Sequence, residues 1–136
     1  MRMIILMAAA ALAAGDAESV VGKWRAASKN AVVEISKCGA SICGKLTGSD
    51  GLRANPGMLD TKNQDAAARG RKVLGLPMIG GAFTFADGAW SGGTVYNPED
   101  GGTYKATLTN PDADHLKLKG CIVWPLCKTQ TWTRIR

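Results

Sequence analysis

Side chains suited to acid–base or nucleophilic chemistry are thinly spread along this sequence. Its one histidine, His115, follows Asp114 in a turn-like stretch beside an alternating lysine segment. A general base needs partners positioned around it, and a solvated turn histidine is the plainer reading. Ser36, Ser41, Ser49 and Ser91 stand in no Ser-His-Asp setting. Asp60 with Asp65, and Glu99 with Asp100, offer paired carboxylates. Both pairs fall in turn-like segments, where aspartate more often bonds nearby backbone. Gly80-Gly81 and Gly92-Gly93 precede no helical pattern and so read as places where strands bend or approach closely, not as phosphate loops. Enzymatic chemistry therefore finds little support in the residues.

Binding residues are easier to nominate. Asp60, Lys62 and Asn63, followed by Arg69, Arg71 and Lys72, make the densest polar and charged stretch. It reads either as a solvated loop or as a rim that accepts an anion. The aromatic set is small: four tryptophans, two tyrosines and two phenylalanines. Trp24 and Trp132 read as core, which leaves Trp90 and Trp124 freer to meet an apolar or ring-bearing ligand. The candidate ligand-binding residues are Asp60, Lys62, Asn63, Arg71, Trp90 and Tyr96. A buried cluster of Asp60, Asn63, Arg71 and Tyr96 around a pocket would favour an enzyme instead.

Compartment follows from the chain's start and from its cysteines. Arg2 precedes an apolar run from Ile4 to Ala14, and Ala11-Leu12-Ala13 and Gly15-Asp16-Ala17 both give small-x-small cleavage sites. The run is too short to span a bilayer, which takes about 20 residues. Residues 1–17 are expected to be a signal peptide, with cleavage after Ala17 slightly favoured over Ala13 or Ala14. Residues 18–136 then form a single exported domain, periplasmic or secreted, with no transmembrane segment.

An even count of four cysteines in a short exported chain favours disulfides. Three pairings are possible; the local one, Cys38–Cys43 and Cys121–Cys127, closes each pair across a turn-like segment. Neither pair has the spacing of a zinc knuckle, so no metal is expected, and no cofactor either. The net charge of +6 weakly favours acidic partners. Scattered basic residues and export both argue against nucleic acid.

These residues must be positioned by strands. Short β-branched or alternating runs are expected at 20–26, 32–37, 41–47, 71–76, 83–85, 89–96, 103–109, 115–121 and 129–135. Asp87-Gly88 marks a hairpin turn, as do Asn97 to Gly102 and Asn110-Pro111-Asp112. Residues 48–70 form a long loop with one helical turn near Asp65 to Arg69. About eight strands with tight connections suggest a closed, meandering, all-β antiparallel barrel.

Gly22-x-Trp24 near the start and Trp132-x-Arg134 near the end would be neighbours in such a barrel, with arginine lying across tryptophan. This pairing resembles the lipocalin and wider calycin superfamily, where its role is structural. The mature chain also resembles a bacterial family known as domain of unknown function 2147. The likeness runs from Gly22-Lys23-Trp24 through Cys38-Gly39, Asp60-x-Lys62-Asn63 and Tyr96-Asn97-Pro98 to Cys127-x-x-Gln130-x-Trp132-x-Arg134. It implies small exported bacterial proteins with no assigned activity.

The expected role is a non-enzymatic periplasmic barrel that binds a small apolar or anionic, envelope-derived or lipid-like ligand. One alternative is an envelope interaction module whose barrel is filled. The other is a hydrolase or transferase acting on envelope components. An open apolar cavity would favour the first reading and a plugged barrel the second.

Overall fold

The computed structural model describes residues 16–136. Most of the expected signal peptide therefore lies outside the described residues. Eight strands follow in chain order: β1 (Gly22–Arg25), β2 (Val32–Cys38), β3 (Ser41–Gly48), β4 (Pro77–Ala86), β5 (Ala89–Asn97), β6 (Gly102–Asp112), β7 (His115–Val123) and β8 (Leu126–Ile135). Each pairs antiparallel with its successor, and β8 returns to β1, so the sheet closes into an up-and-down barrel.

Alternation sets which side chains fill it. Val33 and Ile35 on β2, Ala106 and Leu108 on β6, and Leu116 and Leu118 on β7 point inward and are buried. Their neighbours Glu34, Lys105, Thr107, Lys117 and Lys119 are more exposed. The Asp87-Gly88 turn joins β4 to β5 with positive φ at both residues, 52° and 78°, as its twist requires.

Because the strands run up and down, the connections divide between two ends. At one end lie the turns after β2, β4 and β6, together with a 3-10 turn at Ala17–Val20 that precedes β1. The other end carries the β1–β2 loop, the long β3–β4 connection, the β5–β6 turn and the β7–β8 tip. Cys38 bonds Cys43 beside the first end, and Cys121 bonds Cys127 at the second. Both bridges are the local ones.

Some expected elements differ. Residues 71–76 are not a strand: one isolated bridge, Lys72 with Leu59, is all the ladder they form. Leu76 turns back to bond the Val73 carbonyl, and Gly75 takes φ 82°, so the segment curls inward instead of extending. The first strand is shorter than expected because Val20 belongs to the 3-10 turn. β4 is longer than expected and runs through Gly80-Gly81 from Pro77 to Ala86. The long loop holds the expected turn, at Ala66–Ala68, capped by Asp65. It also holds a short helix, α1 (Asp50–Ala54), started by the Ser49 hydroxyl accepting from the Leu52 N–H.

Ser41 likewise has a structural partner. Its hydroxyl accepts from the Phe83 N–H at 2.9 Å and donates to the Gly81 carbonyl at 3.2 Å. It thereby joins β3 to β4 beyond the two rows in which those strands pair directly. Opposite, Gly93 leaves room for the Phe83 ring, since a Cβ there would sit 2.1 Å from it.

Candidate functional site

The first end of the barrel is closed. Trp24 and Arg134 face each other in the β1–β8 register, with the guanidinium 4.2 Å from the centre of the indole ring. Arg134 donates to the carbonyls of Ser19 at 2.6 Å, Val21 at 3.0 Å and Ala113 at 2.7 Å. Partial burial, reinforced by the charge of Arg136, lowers its pKa. Gly22 clears its path: with φ 136°, any Cβ there would come within 2.7 Å of the guanidinium. Trp24 donates to the Val20 carbonyl, and Trp90 to that of Ala17. Trp90 is thus a core residue of the closed end, 3% exposed, and not a residue of a ligand mouth. Toward the closed end the interior is packed by Ile35, Ile42, Phe83, Leu108 and Leu116, none of which lines the cavity at the open end.

The second end is open. A cavity of about 900 Å³ descends from it into the upper barrel, within the range of small-molecule sites. Its wall includes Val33, Leu46, Met58, Met78, Leu118 and Trp132, so it is mainly apolar. Polar groups enter at few points. Tyr104 and Gln130 are in the wall, and Gln130 accepts from the Trp132 indole at 3.1 Å. Tyr104 donates to Asp100 at 2.5 Å, and this hydrogen bond, with some burial, raises the Tyr104 pKa above 10.0. Lys29, Lys62 and Lys128 stand at the mouth with Glu99 and Asp100. Lys29 lies 3.9 Å from Glu99, whereas Lys62 and Lys128 have no ion pair among the described residues.

Beside the mouth, four nominated residues meet. Asp60 is fully buried and accepts from Tyr96 Oη at 2.7 Å, Asn63 Nδ2 at 2.9 Å and Arg71 Nε at 3.0 Å. The Arg71 guanidinium also lies 5.3 Å from the Tyr96 ring centre. Burial pushes the Asp60 pKa up, but hydrogen bonds from Asn63, Tyr96 and Arg71 and the arginine charge outweigh it and hold the group below 3.8. Burial and the Asp60 carboxylate raise Tyr96 above 10.0. Both groups hold one protonation state near neutrality, and the carboxylate is spent on its own neighbours. The cluster anchors the long loop to β5.

The rest of that stretch is bound in the same way. Arg69 donates to the Asn63 carbonyl at 2.7 Å, and Gly101 lies so close to the Lys62 carbonyl that a Cβ would come within 1.8 Å of it. Lys62 alone of the loop's candidates reaches the cavity. His115 opens β7 and is held by Asp112 at 2.8 Å across the hairpin, away from the cavity. Among the described residues, no group of histidine, cysteine and carboxylate side chains could hold a metal ion.

Sequence reasoning missed most of the wall. Met58 and Val73 reach the cavity because the folded loop lies over the barrel, and Met78 stands in the first residues of β4, ahead of the strand expected at 83–85. The β7 wall carried a signal: Leu118, Gly120 and Ile122 share one face by alternation. The glycine leaves space between two apolar neighbours.

A closed eight-stranded antiparallel barrel with one sealed end, one open end and an arginine–tryptophan seal defines a lipocalin-like protein. Residues 22–134 match the family of uncharacterised proteins conserved in bacteria, domain of unknown function 2147, and the chain belongs to it. A solved structure shares the fold at TM-score 0.75 and 19% identity, over 86% of this chain and 83% of the other. It is protein HP1028 from the human pathogen Helicobacter pylori, reported to belong to the lipocalin family. No curated protein matches the chain.

Proposed function

We propose that this protein is an exported binding barrel that holds one small apolar or amphiphilic, lipid-like molecule in its upper half. The observation that carries this reading is the cavity of about 900 Å³, apolar along its wall and open at one end. An apolar body would lie against Met58, Met78 and Leu118, and a polar or anionic head would meet Lys62 and Lys128 at the mouth. The disulfides and the leader-like start of the sequence support work outside the cytoplasm, in the periplasm or beyond. Among the described residues, no helix is long and apolar enough to cross a membrane.

The buried cluster of Asp60, Asn63, Arg71 and Tyr96 that would favour an enzyme is present, with Tyr96 in the cavity wall; binding is preferred here because a carboxylate with a lowered pKa and three donors is a poor proton acceptor. An open interior likewise weighs against a filled interaction module.

Gly120 offers the direct test. A Cβ there would lie in ordinary contact range, 3.5 Å from Tyr104 and 3.7 Å from Val95. Gly120→Leu should therefore keep the strand while projecting a side chain into the cavity and narrowing it. Native mass spectrometry of protein from its own periplasm should find a bound small molecule in the wild type and lose it in Gly120→Leu. Equal occupancy in both would refute the cavity as the binding site.

A further inference from the structure

The surface of the barrel is divided as sharply as its interior. Among the described residues, the exposed large hydrophobic side chains are Leu59, Leu74, Ile122, Val123, Trp124 and Leu126. All six belong to connections or strand ends at the open end. Four of them make the β7–β8 tip, with Trp124 at 73% exposure and Ile122 at 69%. Cys121 and Cys127 face each other at its base and are bonded, so the apolar tip is held as a projection and is not free to fold back. Ile122 and Leu126 also line the cavity, which makes the tip continuous with the apolar wall inside.

Charge is distinctive on the two strands that make the tip. No acidic residue occurs from His115 to the C-terminus, while Lys117, Lys119, Lys128, Arg134 and Arg136 do. Lys119 Nζ lies 4.8 Å from the centre of the Trp124 ring, and Lys105 pairs in register with Cys121 at the base of the tip. Lys128 follows directly after the second cysteine. Elsewhere acidic residues occur at both ends, with Asp50, Asp60, Asp65, Glu99 and Asp100 in the open-end connections and Asp16, Glu18, Asp87, Asp112 and Asp114 at the sealed end, so the absence of acidic groups is particular to β7, β8 and their tip.

An indole at the apex, aliphatic side chains around it and a collar of lysines suit the boundary between headgroups and acyl chains. Tryptophan favours that boundary because one edge of its ring is apolar and one is polar. A few residues on a projecting hairpin offer too little area for a stable protein interface, which buries on the order of 1,000 Å² or more. A bilayer needs only depth and charge.

We propose that the β7–β8 tip seats the barrel on an anionic lipid surface, Trp124 inserted and Lys105, Lys119 and Lys128 against headgroups, with the cavity mouth facing the membrane. This docking does not depend on the cavity being occupied.

Co-sedimentation of the mature protein with vesicles of phosphatidylethanolamine and phosphatidylglycerol tests it, with phosphatidylcholine vesicles alongside. Binding to the anionic vesicles should be about tenfold stronger and should weaken as salt screens the lysines. Trp124→Ala should reduce it about tenfold. Lys105→Glu with Lys119→Glu should remove the preference for anionic lipid. These positions are on the surface, so thermal unfolding of the variants should match the wild type. Gly120→Leu should still bind vesicles, which separates docking from ligand binding. Failure to bind either vesicle, or binding untouched by Trp124→Ala, would overturn the proposal. A dimer lost in Trp124→Ala, without vesicle binding, would assign the tip to a second copy of this chain.

Discussion

Removing the Arg134 side chain tests how the two ends of the chain seal the barrel. The guanidinium stacks on Trp24 at 4.2 Å and donates to three backbone carbonyls. Each bond from a charged donor contributes about 1.5–3 kcal/mol when well shielded, and a partly desolvated cation–π contact about 1–2 kcal/mol. The site is only partly buried and the contributions overlap, so Arg134→Ala should cost about 3–4 kcal/mol in all. Arg134→Lys should recover less than half, because an ammonium neither stacks flat nor reaches three divergent carbonyls. Trp24→Ala should cost about 3–5 kcal/mol as a buried aromatic truncation. The double variant should be less destabilised than the sum of the two by about 1–2 kcal/mol, the contact the two side chains share. Urea unfolding of the wild type, both single variants and the double variant measures this coupling directly. Strict additivity, or an Arg134→Ala variant as stable as the wild type, would refute the seal.

Two further outcomes follow from the anchor and from the N-terminus. Asp60→Asn should destabilise the protein at pH 7 by about 2–3 kcal/mol, below the usual cost of breaking a buried pair because Arg71 is part-exposed. Since the folded carboxyl titrates below 3.8, its contribution is complete above that value and is lost as pH falls through the folded pKa. The gap between wild type and Asp60→Asn in unfolding experiments should therefore close below about pH 4; a gap independent of pH would refute the charged anchor. Ala17 accepts from Trp90, and Asp16 caps the turn that carries it. N-terminal sequencing of exported protein should thus give a start at Ala14 or Gly15, from cleavage after Ala13 or Ala14 and not after Ala17. A start at Glu18 would mean that the sealed end forms without this bond.

What the sequence disclosed was mostly local. Alternation at Leu116 to Lys119, the Asp87-Gly88 turn and the two short cysteine spacings each draw on neighbours a few residues apart, and each has its counterpart in the barrel. The exchange between Gly22-x-Trp24 and Trp132-x-Arg134 spans the chain but was legible because closure leaves these strands no other neighbour. Residues 71–76 misled because β-branched and aliphatic residues suit an inward-curling loop as well as a strand. Trp90 misled for a related reason: its indole finds a partner in Ala17, a residue assigned from sequence to the leader. The cavity wall was hardest to see, since Met58 and Val73 join it only after Asp60 has tied the long loop to β5.

The two halves of the barrel, packed toward the closed end and hollow toward the open one, have a consequence for descent. Cohesion comes from the packed half, where a lost side chain leaves a void at a cost of several kcal/mol. Side chains around the hollow half already border empty space, so exchanging one for another of similar polarity disturbs few contacts. Substitutions can then accumulate in the hollow half while the packed half stays under constraint.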